Sequence, residues 1–403
     1  MGTSQIYMSG VARGEHLFLS DGHPGRRTAP PAGSMSATDS AAGRARQGRI
    51  RAAAACILLT ACSPVYVARA GLAEIDILGA RRPLADVVLD PDTDERTRDL
   101  LTFVMEARTF ARDDLGLDVG ESYTSYVQRS SDTLALVLSA AYRDRLVPVT
   151  WWFPIVGRVP YRGYFDLEAA LEEQRRLEAE GLDTYLRPTA AFSTLGWFDD
   201  PLLSSALGAD EAEAVATVIH ELSHNHLFVP GRVRFNESFA NFVGRAGAAE
   251  FFCTRQGGGP DTVKCHRAQA RWRDIQRFSA FLDGFLAELD AVYGDPSRTG
   301  EEKVRDREEV FEAARTRFRD ELQPTLESLG FGSFLTVELN NATVLARLRY
   351  YHRLGDFQRL MEASGGLKPA IDVLARGVGR VDDPFELLPD PAREGGPAPP
   401  PGS

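Results

Sequence analysis

The feature that most constrains this chain is the pentapeptide His220-Glu221-Leu222-Ser223-His224. It lies in a run, Ala212 to about Leu227, in which Val215, Val218, Ile219 and Leu222 recur at i, i+3, i+4 and i+7. That spacing predicts an amphipathic helix with those four side chains buried. On a helix, residues four apart are rotated by only about 40°, so His220 and His224 share a face. Two imidazoles placed in this way can reach one Zn²⁺. Glu221, on the flank of the same face, is positioned to act as a base on a water. His226 falls on the apolar side of the wheel and reads as a packed histidine.

A catalytic zinc ordinarily takes three protein ligands and keeps one position open. The next acidic residue after His224 is Glu237, thirteen residues on, in Phe235-Asn236-Glu237-Ser238-Phe239-Ala240. Pro230-Gly231 makes a turn between them, and a second helix follows with Phe239, Phe242, Val243 and Ala246 as its core face. Glu237 and Asn241 lie on the other face. A helix-turn-helix this short can return Glu237 to the metal. The alternative is that Asn236 caps the second helix and Glu237 merely answers its dipole.

The metal motif followed by Asn-Glu-Ser-Phe-Ala resembles the gluzincin peptidases, in which a glutamate of an N-E-x-x-A stretch is the third ligand. The thirteen-residue interval is shorter than in the best-known gluzincins. The chain is more closely similar to a family of bacterial predicted aminopeptidases. The likeness runs through Trp152 to Gly157, Tyr161 to Phe165, Ser193 to Pro201, the metal motif, Phe235 to Ala240 and Asn340-Asn341-Ala342. It implies a zinc-dependent hydrolase of peptide bonds with His220, His224 and Glu237 on the metal and Glu221 as catalytic base. A peptidase of this type also needs a donor for the developing oxyanion, for which Tyr350, Tyr351 and His352 are candidates, Tyr351 foremost. Asp199 or Asp200 could receive the α-amine of an aminopeptidase substrate, although Asp-Asp-Pro also reads simply as a turn.

The N-terminus reads as an address. Arg44 to Arg51 holds four arginines, and Ala52 to Ala61 is then a ten-residue apolar run. This is the basic-then-apolar order of a secretory signal, and the run is too short to span a bilayer, which takes roughly 20 apolar residues. It ends in Leu59-Thr60-Ala61-Cys62, which resembles the lipobox of bacterial lipoproteins, where the cysteine becomes lipidated. Ser63 in place of Asp then implies the outer membrane, facing the periplasm. Residues 1–61 are thus expected to be leader, and a start at Met35 would give a leader of ordinary length. Cys253 and Cys265, flanking Gly257-Gly258-Gly259-Pro260, are expected to pair if the domain is exported.

The remainder predicts an α+β fold over 62–389. Helical sequence runs from Gly71 to about Ala111, strands and turns from Ser122 to Val156, an aromatic turn from Tyr161 to Phe165, and a helix from Asp166 to Gly181. A strand is expected at Ala190 to Phe198, where extended substrate could be added alongside. After Cys265, a helical hairpin (266–326) follows, its first helix carrying Trp272, Ile275, Phe278, Leu282, Phe285 and Leu289 at helical spacing. Gly294 and Pro296 end that helix, and Thr299 with Glu302 is a capping box for the next. A last helix is expected from Ala342 to Leu360, and a disordered Pro/Gly/Ala tail at 390–403.

With 46 basic and 57 acidic residues the net charge is -11. The leader alone carries seven Arg against three acids, which leaves 39 basic and 54 acidic residues for the rest, a charge of -15. Such a surface repels phosphate, so nucleic acid is not an expected partner, and no nucleotide-binding loop is present. The competing function class is a lipoprotein that binds peptide or envelope partners through a zinc-stabilised domain without turnover. Glu221 speaks against it, because a structural site needs ligands and not a base.

Overall fold

A computed structural model describes residues 79–128, 135–153, 157–189, 201–207 and 210–389. The lipidation candidate Cys62, the expected strand at 190–198, Asp199, Asp200 and the tail at 390–403 lie outside the described residues.

The chain opens with β1 (Arg82–Pro83), α1 (Leu84–Leu89) and α2 (Glu95–Asp113), the last capped by Asp94. The β-rich part holds β2 (Ser125–Val127), β3 (Ala135–Tyr142), β4 (Trp151–Phe153), β5 (Gly157–Val159) and β6 (Arg162–Tyr164). Then come α3 (Leu167–Ala179), β7 (Leu182–Thr189) and β8 (Leu202–Leu203). The remainder is helical: α4 (Glu211–His226), α5 (Val233–Thr254), α6 (Val263–Gly294), α7 (Gly300–Arg317), short α8 (Ser333–Thr336), α9 (Asn341–Tyr351), α10 (Leu354–Ser364) and α11 (Leu367–Gly377). None of the described helices is long and apolar enough to cross a membrane.

The class is α+β, mostly helical, with three small sheets among the described residues. β3 is the centre of the most regular sheet, antiparallel to β6 on one side and to β7 on the other. Arg162–Tyr164 is therefore a strand paired with Leu136–Leu138 and not a turn. β2 lies between β1 and β8, and β4 with β5 forms a hairpin.

The main core gathers the apolar faces of α2, α4, α5, α10 and α11 with the start of α6. A second core lies between the expected hairpin of α6 and α7 and the α8–α9 segment, where Phe278, Phe285, Phe311, Phe318 and Phe334 are buried together. All six apolar residues anticipated on α6 are buried, and Thr299 with Glu302 forms the capping box on α7. The expected last helix is broken. α9 ends at Tyr351, Arg353 adopts φ 56°, and α10 restarts at Leu354. The carboxylate of Asp283 on α6 accepts from the Arg353 backbone N–H at 2.9 Å and lies 2.7 Å from His352 Nδ1, so a contact with α6 holds the chain in the kink.

The sheet is tied to the helices through one buried ion pair. Asp183 on β7 accepts from Arg307 of α7 at 2.6 Å and from the backbone N–H of Asn341 at the start of α9 at 2.8 Å. The Asn341 amide in turn donates to the Tyr142 carbonyl at 2.8 Å. These contacts fix where α9 begins, and hence which residues near its far end meet α5.

Candidate metal centre

Helix α4 starts at Asp210, whose side chain accepts from the Glu213 N–H at 3.1 Å and pairs with Arg271 of α6. Glu213 in turn pairs with Arg245 of α5 at 2.5 and 2.7 Å. The start of the helix is thus anchored to both neighbouring helices, just before the core stripe begins at Val215. Val215, Val218, Ile219 and Leu222 are buried, as their spacing requires. The other face meets α5 at an unusually close crossing. A Cβ on Gly244 would lie 2.5 Å from the Ala216 carbonyl oxygen and 2.9 Å from His220 Cβ. Only glycine permits that approach.

The crossing sets the site. Glu237, Asn241 and Gly244 recur along one face of α5, so the face that touches α4 at Gly244 carries Glu237 past His220 and His224. His220 Nε2 is 3.5 Å from Glu237 Oε2, and His224 Nε2 is 3.8 Å from it. One ligand atom from each residue lies within 4.8 Å of the others, the only such trio of His, Cys, Asp or Glu among the described residues. Donors around a single tetrahedral zinc, at about 2.0–2.1 Å from it, stand about 3.4 Å apart. The observed spacing approaches that value.

Asn236 does not cap α5. The helix begins three residues earlier, and the Asn236 amide instead bridges the N–H and the C=O of Val229, both at 2.9 Å. This bridge closes the turn between the two helices and leaves Glu237 inside α5, aimed at the histidines. His226 accepts from the Asp118 N–H at 3.3 Å, away from the trio.

Electrostatics make the trio incomplete as protein alone. Burial, with the Arg245 charge adding to it, lowers the His220 pKa to about 3. Burial also lowers His224 to about 4, against the pull of Glu237. Glu237 is pushed upward by burial, opposed by His224, Arg349 and Arg187. His220 Nε2 and Glu237 Oε2 are both buried without a hydrogen-bond partner. Neutral imidazoles and an unsatisfied carboxyl around one point are costly unless a cation fills it. Two imidazoles and a carboxylate are a donor set that suits zinc, so the residues fit the metal on geometry and on charge. Glu221, next to His220 and 3% exposed, is buried on the same helix.

Helix α9 closes the far side. Asn241 Nδ2 donates to the Tyr350 carbonyl at 2.8 Å, and the Ser238 hydroxyl to the Arg349 carbonyl at 3.2 Å. This register brings Tyr350 to the histidines, with its ring centroid 6.4 Å from that of His220. Tyr351, the residue singled out from the sequence, instead packs its ring on Phe278 and Phe331. His352 is engaged with Asp283. Neither Tyr350 nor Arg349 could be chosen from the sequence, since their placement depends on α9's docking to α5. Gly244 and Gly247, three apart on a helix, were the available signal for a close helix crossing.

A model of the family described as "Putative aminopeptidase" matches residues 65–373. The chain belongs to this family. No curated protein and no solved structure matches the chain. Membership in this aminopeptidase family points to peptidase activity. The matched span includes α4, α5 and α9, and so every residue that forms the site. Cys253 and Cys265, also within the span, form a disulfide across the α5–α6 turn with Cα atoms 4.8 Å apart.

Proposed function

We propose that this chain is a zinc-dependent aminopeptidase of the bacterial cell envelope, lipid-anchored through Cys62. The observation that carries the proposal is the buried convergence of His220, His224 and Glu237 with Glu221 beside it. A zinc ion held by these three residues supplies Lewis acidity toward a peptide carbonyl and toward water. Glu221 accepts the proton of the attacking water on its carboxylate and passes it to the leaving amine. Tyr350, carried to His220 by α9, is the residue best placed to donate to the carbonyl oxygen as charge develops there. Asp199 and Asp200 remain the proposed partners of the substrate's α-amine. The lipid anchor and the outer-membrane, periplasm-facing location rest on the Arg44-to-Cys62 pattern.

A peptide-library digest tests this reading. The purified protein should trim peptides, lose that activity on chelation and regain it with zinc. Glu221→Gln should keep its metal, while turnover drops by about two to four orders of magnitude. Undiminished hydrolysis by the Gln variant would exclude Glu221 as the base.

A further inference from the structure

One turn before Glu237, the start of α5 opens onto a pocket of about 220 Å³ between β3, the β4–β5 hairpin and α9. Three arginines line it, Arg158, Arg234 and Arg349, and among the described residues no carboxylate does. Arg158 donates to the Thr150 hydroxyl at 3.3 Å. Arg349 is 5% exposed, and its guanidinium rests 4.7 Å from the centre of the Tyr161 ring. Among the described residues, neither Arg349 nor Arg234 makes an ion pair or a side-chain hydrogen bond. Burial lowers the Arg234 pKa, while Asp290, Asp283 and Asp383 act on it only at longer range. A guanidinium taken from water without an anion is costly, so this cluster is built for a negatively charged guest.

The backbone says the same. Helix α5 is 22 residues long, has no side-chain cap and carries no acidic residue in its first turn. Gly231, Val233 and Arg234, at and just before that first turn, line the pocket. The unsatisfied N–H groups and positive dipole end of a helix favour an anion. Here they meet a nine-tenths-buried arginine whose guanidinium rests on the Tyr161 ring and, among the described residues, makes no ion pair.

The pocket also neighbours the proposed chemistry along two helices. Arg234 and Glu237 are three apart on one helix, a rise of about 4.5 Å, and Arg349 adjoins Tyr350. An extended peptide advances about 3.5 Å per residue. A short peptide with its reacting bond beside Glu237 would thus have its C-terminus toward the start of α5, where the pocket lies. We propose that this pocket binds the free C-terminal carboxylate of the substrate, so that the enzyme acts on short peptides a few residues long. The idea rests on the peptidase reading of the metal centre and adds the substrate class. Guanidinium groups suit a carboxylate through paired N–H donors.

The test uses the full mature chain and four probes: trialanine, trialanine amide, a long peptide with the same N-terminal sequence, and Ala-Ala-Glu amide. Binding is measured on the zinc-loaded Glu221→Gln protein, and kcat/KM on the protein with Glu221 intact. Trialanine is expected to bind about tenfold or more tightly than its amide, the scale of one lost charge-assisted contact. Arg349→Met should erase that difference. Arg158→Ala, at an exposed position whose loss the fold tolerates more readily, should reduce it. Equal binding of acid and amide, equal cleavage of the long peptide, or Ala-Ala-Glu amide matching trialanine would each overturn the carboxylate subsite. Acid-selective binding with no hydrolysis of any probe would retain the pocket and remove the peptidase reading. Hydrolysis without selectivity would do the reverse.

Discussion

At the residue scale, His220 and His224 are stored neutral in the protein interior. Their folded pKa values, about 3 and about 4, lie below the value of about 6.5 expected of an unfolded histidine. The unfolded chain therefore binds more protons than the folded one between those limits, and stability rises with pH there. The metal-free protein is thus expected to keep its full histidine contribution above about pH 6.5 and to lose it progressively toward pH 4. Thermal melts of chelated protein across that range should show the fall. The variant with both histidines changed to Asn should show a shallower one. Identical pH profiles for the two proteins would mean that the imidazoles are not held neutral by burial. The same neutrality serves metal binding, since an imidazole ligand must give up its proton first.

At the element scale, the site depends on how closely α4 and α5 cross. Gly244→Ala would push a methyl group against the Ala216 carbonyl and His220 Cβ. An overpacked core position typically costs about 1–3 kcal/mol, and here the displaced atom belongs to a proposed ligand. Denaturant unfolding should report that loss, and zinc affinity should fall with it. Unchanged metal binding in a folded Gly244→Ala protein would separate the crossing from the site. The elements themselves were legible where local spacing determines them. The stripe on α4, the apolar face of α6 and the Thr299–Glu302 box all follow from residues within one or two turns of each other. The break between α9 and α10 was not legible, because no glycine or proline lies between Tyr351 and Leu354 to mark it. The kink is held by Asp283, seventy residues away. Strand β6 is not legible locally, because its pairing with β3 is a non-local contact. Tyr350 and Tyr351 differ by about 100° around α9, and the choice between them lies in two hydrogen bonds from α5.

At the scale of the whole molecule, the arrangement gives each layer a task. The hairpin of α6 and α7 holds the kink after α9 and, through Arg307 and Asp183, the edge of the sheet. The sheet and α9 frame the arginine pocket, and α4 with α5 supplies the proposed metal ligands. Export would place the Cys253–Cys265 disulfide in an oxidising compartment, where such bonds persist. Mass spectrometry of protein taken from its native membrane should find an acylated Cys62. An intact peptide spanning Ala61 and Cys62 in the mature protein would rule out the anchor. The central claim, however, is the metal centre, and zinc content with competition against a chelator addresses it most directly. The account predicts one zinc per chain in the native protein. It predicts clearly weaker retention in Glu237→Ala, and weaker still in His220→Ala and His224→Ala, each of which removes a donor. A native protein that takes up no zinc, or a Glu237→Ala variant that holds it as tightly as the native chain, would contradict the assignment.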